Sequence, residues 1–188
     1  MRLQARAKMG YYPTPRDVVD RIRSLLGFPE ENVNLLDPCC GEGAALARLA
    51  EGHNATTYGI ELDKYRARQA QERLDHVLAC SYEDARVSHN AFSMLYLNPP
   101  YDWQADESGE GSERVEAAFL RGTMRYVQPS GLLVYIVPQP RVDRKMAKVL
   151  AYRFGYFSAF RFPEDEYDAF RQVVILGVKK ERPWLARE

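Results

Sequence analysis

The sequence predicts an α/β fold: a doubly wound, mostly parallel, seven-stranded sheet with an antiparallel edge strand. Apolar strand-like segments alternate with helical segments along most of the 188 residues, which is typical of a sheet covered by helices on both faces. The segments GLLVYIVP (131–138) and RQVVILGVKK (171–180) are continuous apolar runs, which indicates strands buried on both faces. No helix separates the last two predicted strands, so these two can pair antiparallel at one edge.

Five helices are expected, and three of them have recognisable ends. Thr14 is expected to cap the first helix, with Pro15 in its first turn. Gly52 is expected to end the second helix, and Asp63 to cap the third. The predicted helices cover 16–26, 42–52, 63–75, 112–127 and 142–154.

Seven apolar or β-branched segments read as strands. They cover 33–37, 56–62, 76–80, 92–97, 131–138, 157–162 and 171–180. The fourth strand must stop at Asn98-Pro99-Pro100-Tyr101, because proline cannot donate to a sheet ladder. The polar, acidic segment 105–113 is expected to be a mobile surface loop.

Composition narrows the class of protein. Lys and Arg total 26, as do Asp and Glu, so the net charge is zero, whereas dedicated duplex-binding proteins are usually basic. Cys39, Cys40 and Cys80 lack metal-site spacing, which predicts no metal and a reducing, cytoplasmic location. No segment resembles a secretory signal or a membrane span. We expect one domain over 1–188, with 1–27 covering a cofactor and no separate target-recognition domain.

Ligands of doubly wound sheets bind at the carboxyl ends of the strands. After the first strand, Gly41 and Gly43 can bring the backbone close to a ligand, although a plain strand-to-helix turn is the alternative. The dinucleotide fingerprint is incomplete, because position 46 is Leu. Glu61 ends the second strand, 18 residues after Gly43, where an acid can accept both hydroxyls of a ribose.

Together, the motifs DPCCGEG (37–43), IELD (60–63) and NPPY (98–101) resemble those of class I S-adenosylmethionine-dependent methyltransferases. NPPY resembles the motif of their amino-methylating branch, which includes adenine-N6 methyltransferases of DNA and RNA and protein glutamine methyltransferases. GYYPTP (10–15) resembles the N-terminal cofactor motif of adenine methylases. The resemblance implies a Rossmann-like methyltransferase fold, S-adenosylmethionine as cofactor, and adenine N6 in DNA or RNA as the favoured target.

The resemblance also implies roles for individual residues. Asp37, Gly41 and Gly43 would hold the methionine part of the cofactor. Glu61 would bind its ribose, and Leu62, the next residue, would also contact the cofactor. Tyr12 and Thr14 would cover it, while Ser81 and Tyr82 would contact its adenine, with Glu83 or Asp84 as alternatives. Asn98 would lie beside both cofactor and substrate.

The NPPY segment suits methyl transfer to a planar amino group. The lone pair of an adenine or amide nitrogen is delocalised, so the nitrogen is a poor nucleophile until acceptors hold its N–H groups. The Asn98 side-chain oxygen and the Pro99 carbonyl are two such acceptors. Pro99 and Pro100 stiffen the segment, Tyr101 is expected to stack on the substrate, and Trp103 lies in a loop expected to contact it.

The sequence is compatible with more than one class of substrate. Arg141, Arg144, Lys145 and Lys148 could contact phosphates, but an exposed helix face is favoured because the net charge is zero. Protein glutamine methylation is one alternative. A non-catalytic cofactor-binding subunit of a partner enzyme is another, and a protein partner could supply target recognition.

Overall fold

Seven strands form one sheet in the computed structural model, which describes residues 12–101, 114–164, 167 and 171–182. The sheet order is β3-β2-β1-β4-β5-β7-β6. The strands β1 to β5 are parallel, and β7 runs antiparallel to both β5 and β6. The strands are β1 Val33–Asp37, β2 Ala55–Ile60, β3 His76–Leu78, β4 Phe92–Leu97, β5 Val127–Pro138, β6 Phe154–Arg161 and β7 Gln172–Lys179.

Helices cover both faces of this sheet, as predicted. They are α1 Arg16–Ser24, α2 Ala44–Ala50, α3 Lys64–Gln71, α4 Val115–Thr123 and α5 Arg144–Arg153, with a 3-10 turn at Gln139–Arg141. Side chains of β4 alternate between two cores: Met94 and Tyr96 pack with α1 and α2, whereas Leu95 and Leu97 pack with α4 and α5. Because successive side chains of a strand point to opposite faces of the sheet, β4 contributes to the hydrophobic core on each face.

The predicted fold class is confirmed. Two strands, 33–37 and 92–97, have the predicted bounds, and β5 begins four residues earlier than predicted. The antiparallel pairing also occurs, with β7 lying between β5 and the outermost strand β6. The carboxyl ends of β4 and β5 meet at one edge of the sheet, since Leu97 pairs with Tyr135.

The two predicted helix caps have different outcomes. Asp63 caps α3, accepting hydrogen bonds from the backbone N–H groups of Tyr65 and Arg66, both at 2.9 Å. The prediction for Thr14 is wrong: Pro15 is the residue before α1, and no side chain caps this helix. The Thr14 hydroxyl is instead hydrogen-bonded to Tyr96 and Asn98, so tertiary contacts outcompete the local cap.

Segment 105–113 and Trp103 lie outside the described residues. Within the described part of the chain, no helix combines the length and the apolar character needed to cross a bilayer.

Candidate cofactor and substrate site

A cavity of about 360 Å³ opens at the carboxyl ends of β1, β2, β3 and β4. Its volume lies within the range of small-molecule sites. Seven residues predicted from the sequence line it: Tyr12, Glu61, Leu62, Ser81, Tyr82, Asn98 and Pro100. The remaining lining residues are Pro38, Cys39, Arg66, Cys80, Glu83, Val115, Ala118 and Phe119. Half of the fourteen predicted site residues therefore line one cavity, at the edge of the sheet where the topology is expected to bring them together.

The glycine loop after β1 requires left-handed backbone at two positions. Gly41 has φ 55° and Gly43 has φ 77°, values that side chains rarely adopt. A Cβ on Gly43 would also lie 3.0 Å from Cγ of Leu74. The backbone N–H of Gly41 donates to Oε2 of Glu61 at 2.9 Å, so the loop is attached to the acid that ends β2.

Glu61 is buried, and its carboxylate is hydrogen-bonded to three neighbouring residues, one of which is Gly41. It accepts from the backbone N–H of Asp63 at 2.9 Å and from Nη2 of Arg66 at 2.7 Å, with only 5% of its surface exposed. Arg66 lies in the first turn of α3 and also lines the cavity. Arg66 was not among the site residues predicted from the sequence. Its position in the first turn of the helix after Glu61, five residues further along the chain, could have indicated this contact.

Asp37, at the end of β1, is a buried carboxyl group that is 4% exposed. Its Oδ1 accepts from the backbone N–H of Cys39 at 3.0 Å. Burial raises the pKa of Asp37 to about 7, and the negative charge of Glu61 adds to this effect. Asp37 therefore changes charge near neutral pH, and a cation bound beside it would favour the ionised form. Its neighbours Pro38 and Cys39 line the cavity.

The end of β3 contributes polar and aromatic groups. The Ser81 hydroxyl accepts from the backbone N–H of Glu83 at 3.3 Å, and both residues line the cavity, as does Tyr82. The Tyr82 ring packs against Phe119 of α4, with centroids 4.1 Å apart. Of the two acids left open by the sequence, Glu83 lines this cavity and Asp84 does not. Phe119 had no recognisable signal in the sequence.

The Asn98 side chain links the NPPY segment to the N-terminal segment. Its Nδ2 donates to the backbone oxygen of Tyr12 at 2.9 Å and to Oγ1 of Thr14 at 3.0 Å. Two acceptors on Nδ2 assign the orientation of the amide. Thr14 is itself hydrogen-bonded to the hydroxyl of Tyr96, a residue of β4. Thr14 therefore contacts Asn98 but does not line the 360 Å³ cavity.

Tyr101 occupies a different position from the predicted stacking one. Its side chain is 5% exposed, and its hydroxyl lies 2.6 Å from Oδ1 of Asn98, 3.0 Å from the backbone oxygen of Ile136 and 3.2 Å from Nε2 of Gln172. Burial raises the pKa of the Tyr101 hydroxyl well above its ordinary value. The ring is turned inward because the hydroxyl finds these polar partners in the interior.

The other predicted site residues lie around the cavity without lining it. Asp37 ends β1, and Gly41, Gly43, Pro99 and Tyr101 belong to the loops that follow β1 and β4. Thr14 lines a neighbouring cavity between α1 and α2. Within the described ranges, no three His, Cys, Asp or Glu side chains are arranged to hold a metal ion.

A comparison with family models identifies relatives of the whole chain. The uncharacterised methyltransferase family (DUF6094) matches residues 1–186. The chain belongs to this methyltransferase family. The predicted membership of a methyltransferase family is therefore confirmed.

Solved structures show the same fold at low sequence identity. A protein from Listeria monocytogenes, described as a class I S-adenosylmethionine-dependent methyltransferase, has a TM-score of 0.77 and 18% identity, over 96% of this chain and 65% of that one. The tRNA (m1A58) methyltransferase TrmI from Aquifex aeolicus has a TM-score of 0.62 and 16% identity, over 92% and 73%. An RNA methyltransferase from Salinibacter ruber, in complex with S-adenosyl-L-homocysteine, has a TM-score of 0.59 and 18% identity, over 94% and 100%. The chain thus spans just under two thirds of the length of the Listeria protein.

Proposed function

We propose that this protein is an S-adenosylmethionine-dependent N-methyltransferase that methylates adenine N6 in DNA or RNA. The observation that carries the proposal is the position of Asn98. This amide lies at the carboxyl end of β4, is held by the backbone of Tyr12 and the hydroxyl of Thr14, and lines the same cavity as Glu61. A rigid hydrogen-bonding group thus lies beside a cavity that also contains the buried carboxylate to which we assign the ribose.

The residues that line the cavity, and the polar groups of the loops beside it, offer partners for each part of S-adenosylmethionine. Asp37 would hold the amino group of the methionine part, because an ionised carboxylate pairs with an ammonium. The backbone of the Gly41–Gly43 loop would hold its carboxylate end, and Glu61 would accept from the ribose hydroxyls. Ser81, Tyr82 and Phe119 offer a hydroxyl and two rings to its adenine. The cofactor supplies an electrophilic methyl group.

The role of the NPPY segment is to orient the nucleophile. Oδ1 of Asn98 and the carbonyl of Pro99 accept the two N–H groups of the target amine, which turns the nitrogen lone pair toward the methyl group. These acceptors also stabilise the positive charge that develops on nitrogen. Because two hydrogen bonds fix the Asn98 amide, little reorganisation is needed during the reaction.

In this structure the hydroxyl of Tyr101 donates a hydrogen bond to Oδ1 of Asn98. An amide oxygen has two lone pairs, so a substrate N–H can share Oδ1 with the Tyr101 hydroxyl or displace it. Under displacement, the ring leaves its buried position and becomes available for the stacking role that the family resemblance implies.

Adenine is favoured over a protein amide by the residues around the NPPY segment. Tyr12 and Thr14, which belong to the motif that resembles that of adenine methylases, are hydrogen-bonded to Asn98 of this segment. Two proteins of the same fold named above are RNA methyltransferases, and a nucleic-acid substrate agrees with their activity.

The substitution Asn98→Ala tests the role of the amide. We expect methyl transfer to be lost, while cofactor affinity measured by calorimetry stays within a few-fold, because Glu61 and the glycine loop are unchanged. Asn32→Ala is the matched control, since Asn32 is an exposed asparagine just before β1, at the opposite edge of the sheet. An equal loss of cofactor binding and transfer in Asn98→Ala would contradict the assigned role.

A further inference from the structure

Gln172 lies in the protein interior beside the NPPY segment. It is the first residue of β7, and only 5% of its surface is exposed. Burying a side-chain amide costs free energy unless its polar atoms find hydrogen-bond partners. Nε2 of Gln172 donates to the hydroxyl of Tyr101 at 3.2 Å. The candidate methyl-transfer site therefore has a buried polar contact with the antiparallel part of the sheet.

The hydroxyl of Tyr101 connects three neighbouring strands at this edge of the sheet. It accepts from Gln172 of β7 and lies 3.0 Å from the backbone oxygen of Ile136 in β5. It also lies 2.6 Å from Oδ1 of Asn98, the residue after β4. A hydroxyl has one proton and two lone pairs. The 2.6 Å contact is the shortest of the three and has the length of an O–H···O hydrogen bond, so the proton belongs to Asn98.

These contacts hold the Asn98 side chain at both ends of its amide. Nδ2 is held by the backbone oxygen of Tyr12 and the hydroxyl of Thr14, and Oδ1 is held by Tyr101. An amide turned by 180° would place Oδ1 against the carbonyl oxygen of Tyr12, and neither oxygen could donate. The contact with Tyr101 therefore adds to the preference for one orientation of the amide.

Tyr101 needs a support of its own, because it lies in the irregular segment that follows β4. The two prolines before it restrict the backbone, but they do not fix the side-chain torsions of the tyrosine. Gln172 belongs to a regular strand, in which it pairs with Pro138 of β5. It therefore presents its N–H from a fixed position and holds the Tyr101 hydroxyl where it can donate to Asn98.

We propose that Gln172 is a positioning residue, which acts through the Tyr101 hydroxyl to keep Oδ1 of Asn98 oriented as the acceptor for the target amine. The inference rests on the proposed function for the identity of that amine. During turnover, the Tyr101 hydroxyl stays on one lone pair of Oδ1 and the substrate N–H takes the other. The ring of Tyr101 then remains buried and does not stack on the substrate.

The test compares Tyr101→Phe, Gln172→Met and the double variant. Phenylalanine keeps the ring without the hydroxyl, and methionine is unbranched and has no N–H donor. Steady-state rates are measured with methyl-labelled S-adenosylmethionine and whichever nucleic-acid sample the wild type labels, and calorimetry measures cofactor affinity.

We expect kcat to fall about two- to twelvefold in Tyr101→Phe, the factor that corresponds to one hydrogen bond, with KM and cofactor affinity little changed. Gln172→Met should lower kcat within the same range. The double variant should match Tyr101→Phe, because without the hydroxyl Gln172 has no further effect on Asn98. The proposal is overturned if the two factors multiply, or if Tyr101→Phe is as active as the wild type, as expected where the ring must leave its buried position.

Tyr135→Phe is the matched control, because it removes the hydroxyl of a second buried tyrosine. Tyr135 lies in β5, and its hydroxyl donates to the backbone oxygen of Glu116 in α4 at 3.1 Å. We expect its kcat and cofactor affinity to equal those of the wild type. A fall in kcat as large as that of Tyr101→Phe would overturn the proposal, because the loss of any buried hydroxyl would then have the same effect. Thermal melting of each variant checks that the fold is intact.

A second measurement needs no turnover. The side-chain NH₂ group of Asn98, identified by the loss of its signals in Asn98→Ala, is followed by ¹⁵N NMR in the cofactor-free protein. Its hydrogens should exchange with solvent about two- to twelvefold faster in Tyr101→Phe and in Gln172→Met than in the wild type, because the amide leaves its fixed orientation more often. Exchange that is unchanged in both variants would overturn the positioning role.

Failure of the positioning role and failure of the proposed reaction give different results. If exchange accelerates as expected but the wild type labels no nucleic acid, Gln172 positions Asn98 and the proposed reaction is wrong. If the wild type forms N6-methyladenine and exchange is unchanged in the variants, the positioning role is wrong and the reaction stands.

Discussion

Asp37 gives the chain a pH dependence that can be worked out from its burial. Desolvation raises its pKa from 3.8 to about 7 in the folded protein. Between these two values the folded state holds a proton that the unfolded state has lost, so the free energy of unfolding decreases as pH rises. The decrease is about 1.4 kcal/mol per pH unit, or of order 4 kcal/mol over the whole interval. Above pH 7 this dependence ends.

Cofactor affinity should change in the opposite direction. If the ionised Asp37 carboxylate binds the cofactor ammonium, a protonated Asp37 must first lose its proton. The affinity should therefore fall about tenfold per pH unit below 7, or about a hundredfold between pH 7 and 5. Measurements should stay below about pH 7.7, where α-amino groups begin to deprotonate.

Asp37→Asn is the control for both effects, because the amide has nearly the same shape and no titration. Denaturant unfolding of both proteins without cofactor from pH 4 to 8, and calorimetry with cofactor from pH 5 to 7.5, measure the two differences. Other acids contribute to the unfolding curve, so the difference between the two proteins is the relevant quantity. A cofactor affinity independent of pH in the wild type would refute the assignment of Asp37 to the ammonium.

Two further substitutions test the loops around the site. Thr14→Val removes one acceptor from Nδ2 of Asn98. Because a hydrogen bond contributes about 0.5–1.5 kcal/mol, kcat should fall about two- to twelvefold, with little change in cofactor affinity. An unchanged kcat in steady-state assays would contradict the positioning role of Thr14. Gly43→Ala should lower the free energy of unfolding by more than Gly52→Ala, since both residues have φ near 77° but only the Gly43 methyl would lie 3.0 Å from Leu74. Strain in left-handed backbone alone costs about 1–2 kcal/mol, and equal losses in denaturant unfolding would show that the contact with Leu74 is unimportant.

The bounds of some strands, and the residues that follow them, could be predicted from short stretches of the sequence. The strands 33–37 and 92–97 could be bounded because an acid follows one apolar run and prolines follow the other. Because the alternation of strands and helices predicted a mostly parallel sheet, the residues after the parallel strands were expected to meet at one edge. Glu61 and Asn98 could therefore be placed beside the same cavity without any knowledge of side-chain packing.

The remaining features depend on contacts between distant parts of the chain. Tyr101 is turned inward by Ile136 and Gln172, which are 35 and 71 residues away. Thr14 bonds Tyr96, 82 residues away, instead of capping its own helix. No periodicity or spacing encodes such pairings, because they form only when β4, β5 and β7 lie side by side.

The burial of Arg141 illustrates the same limit. Arg141 looked like one member of an exposed basic cluster, because a net charge of zero favours solvated helix faces. In the structure Arg141 is buried beside Glu116 of α4, and no local pattern predicts that these two residues pair.

The central claim is that the Asn98 site transfers a methyl group to adenine N6. The most direct measurement is incubation of the protein with methyl-labelled S-adenosylmethionine and, separately, duplex DNA, single-stranded DNA, total RNA and cell-extract protein, with Asn98→Ala as control. The account predicts label in nucleic acid, recovered after digestion as N6-methyladenine, and none with Asn98→Ala. Label in protein glutamine, or no label in any sample despite measurable cofactor binding, would contradict it.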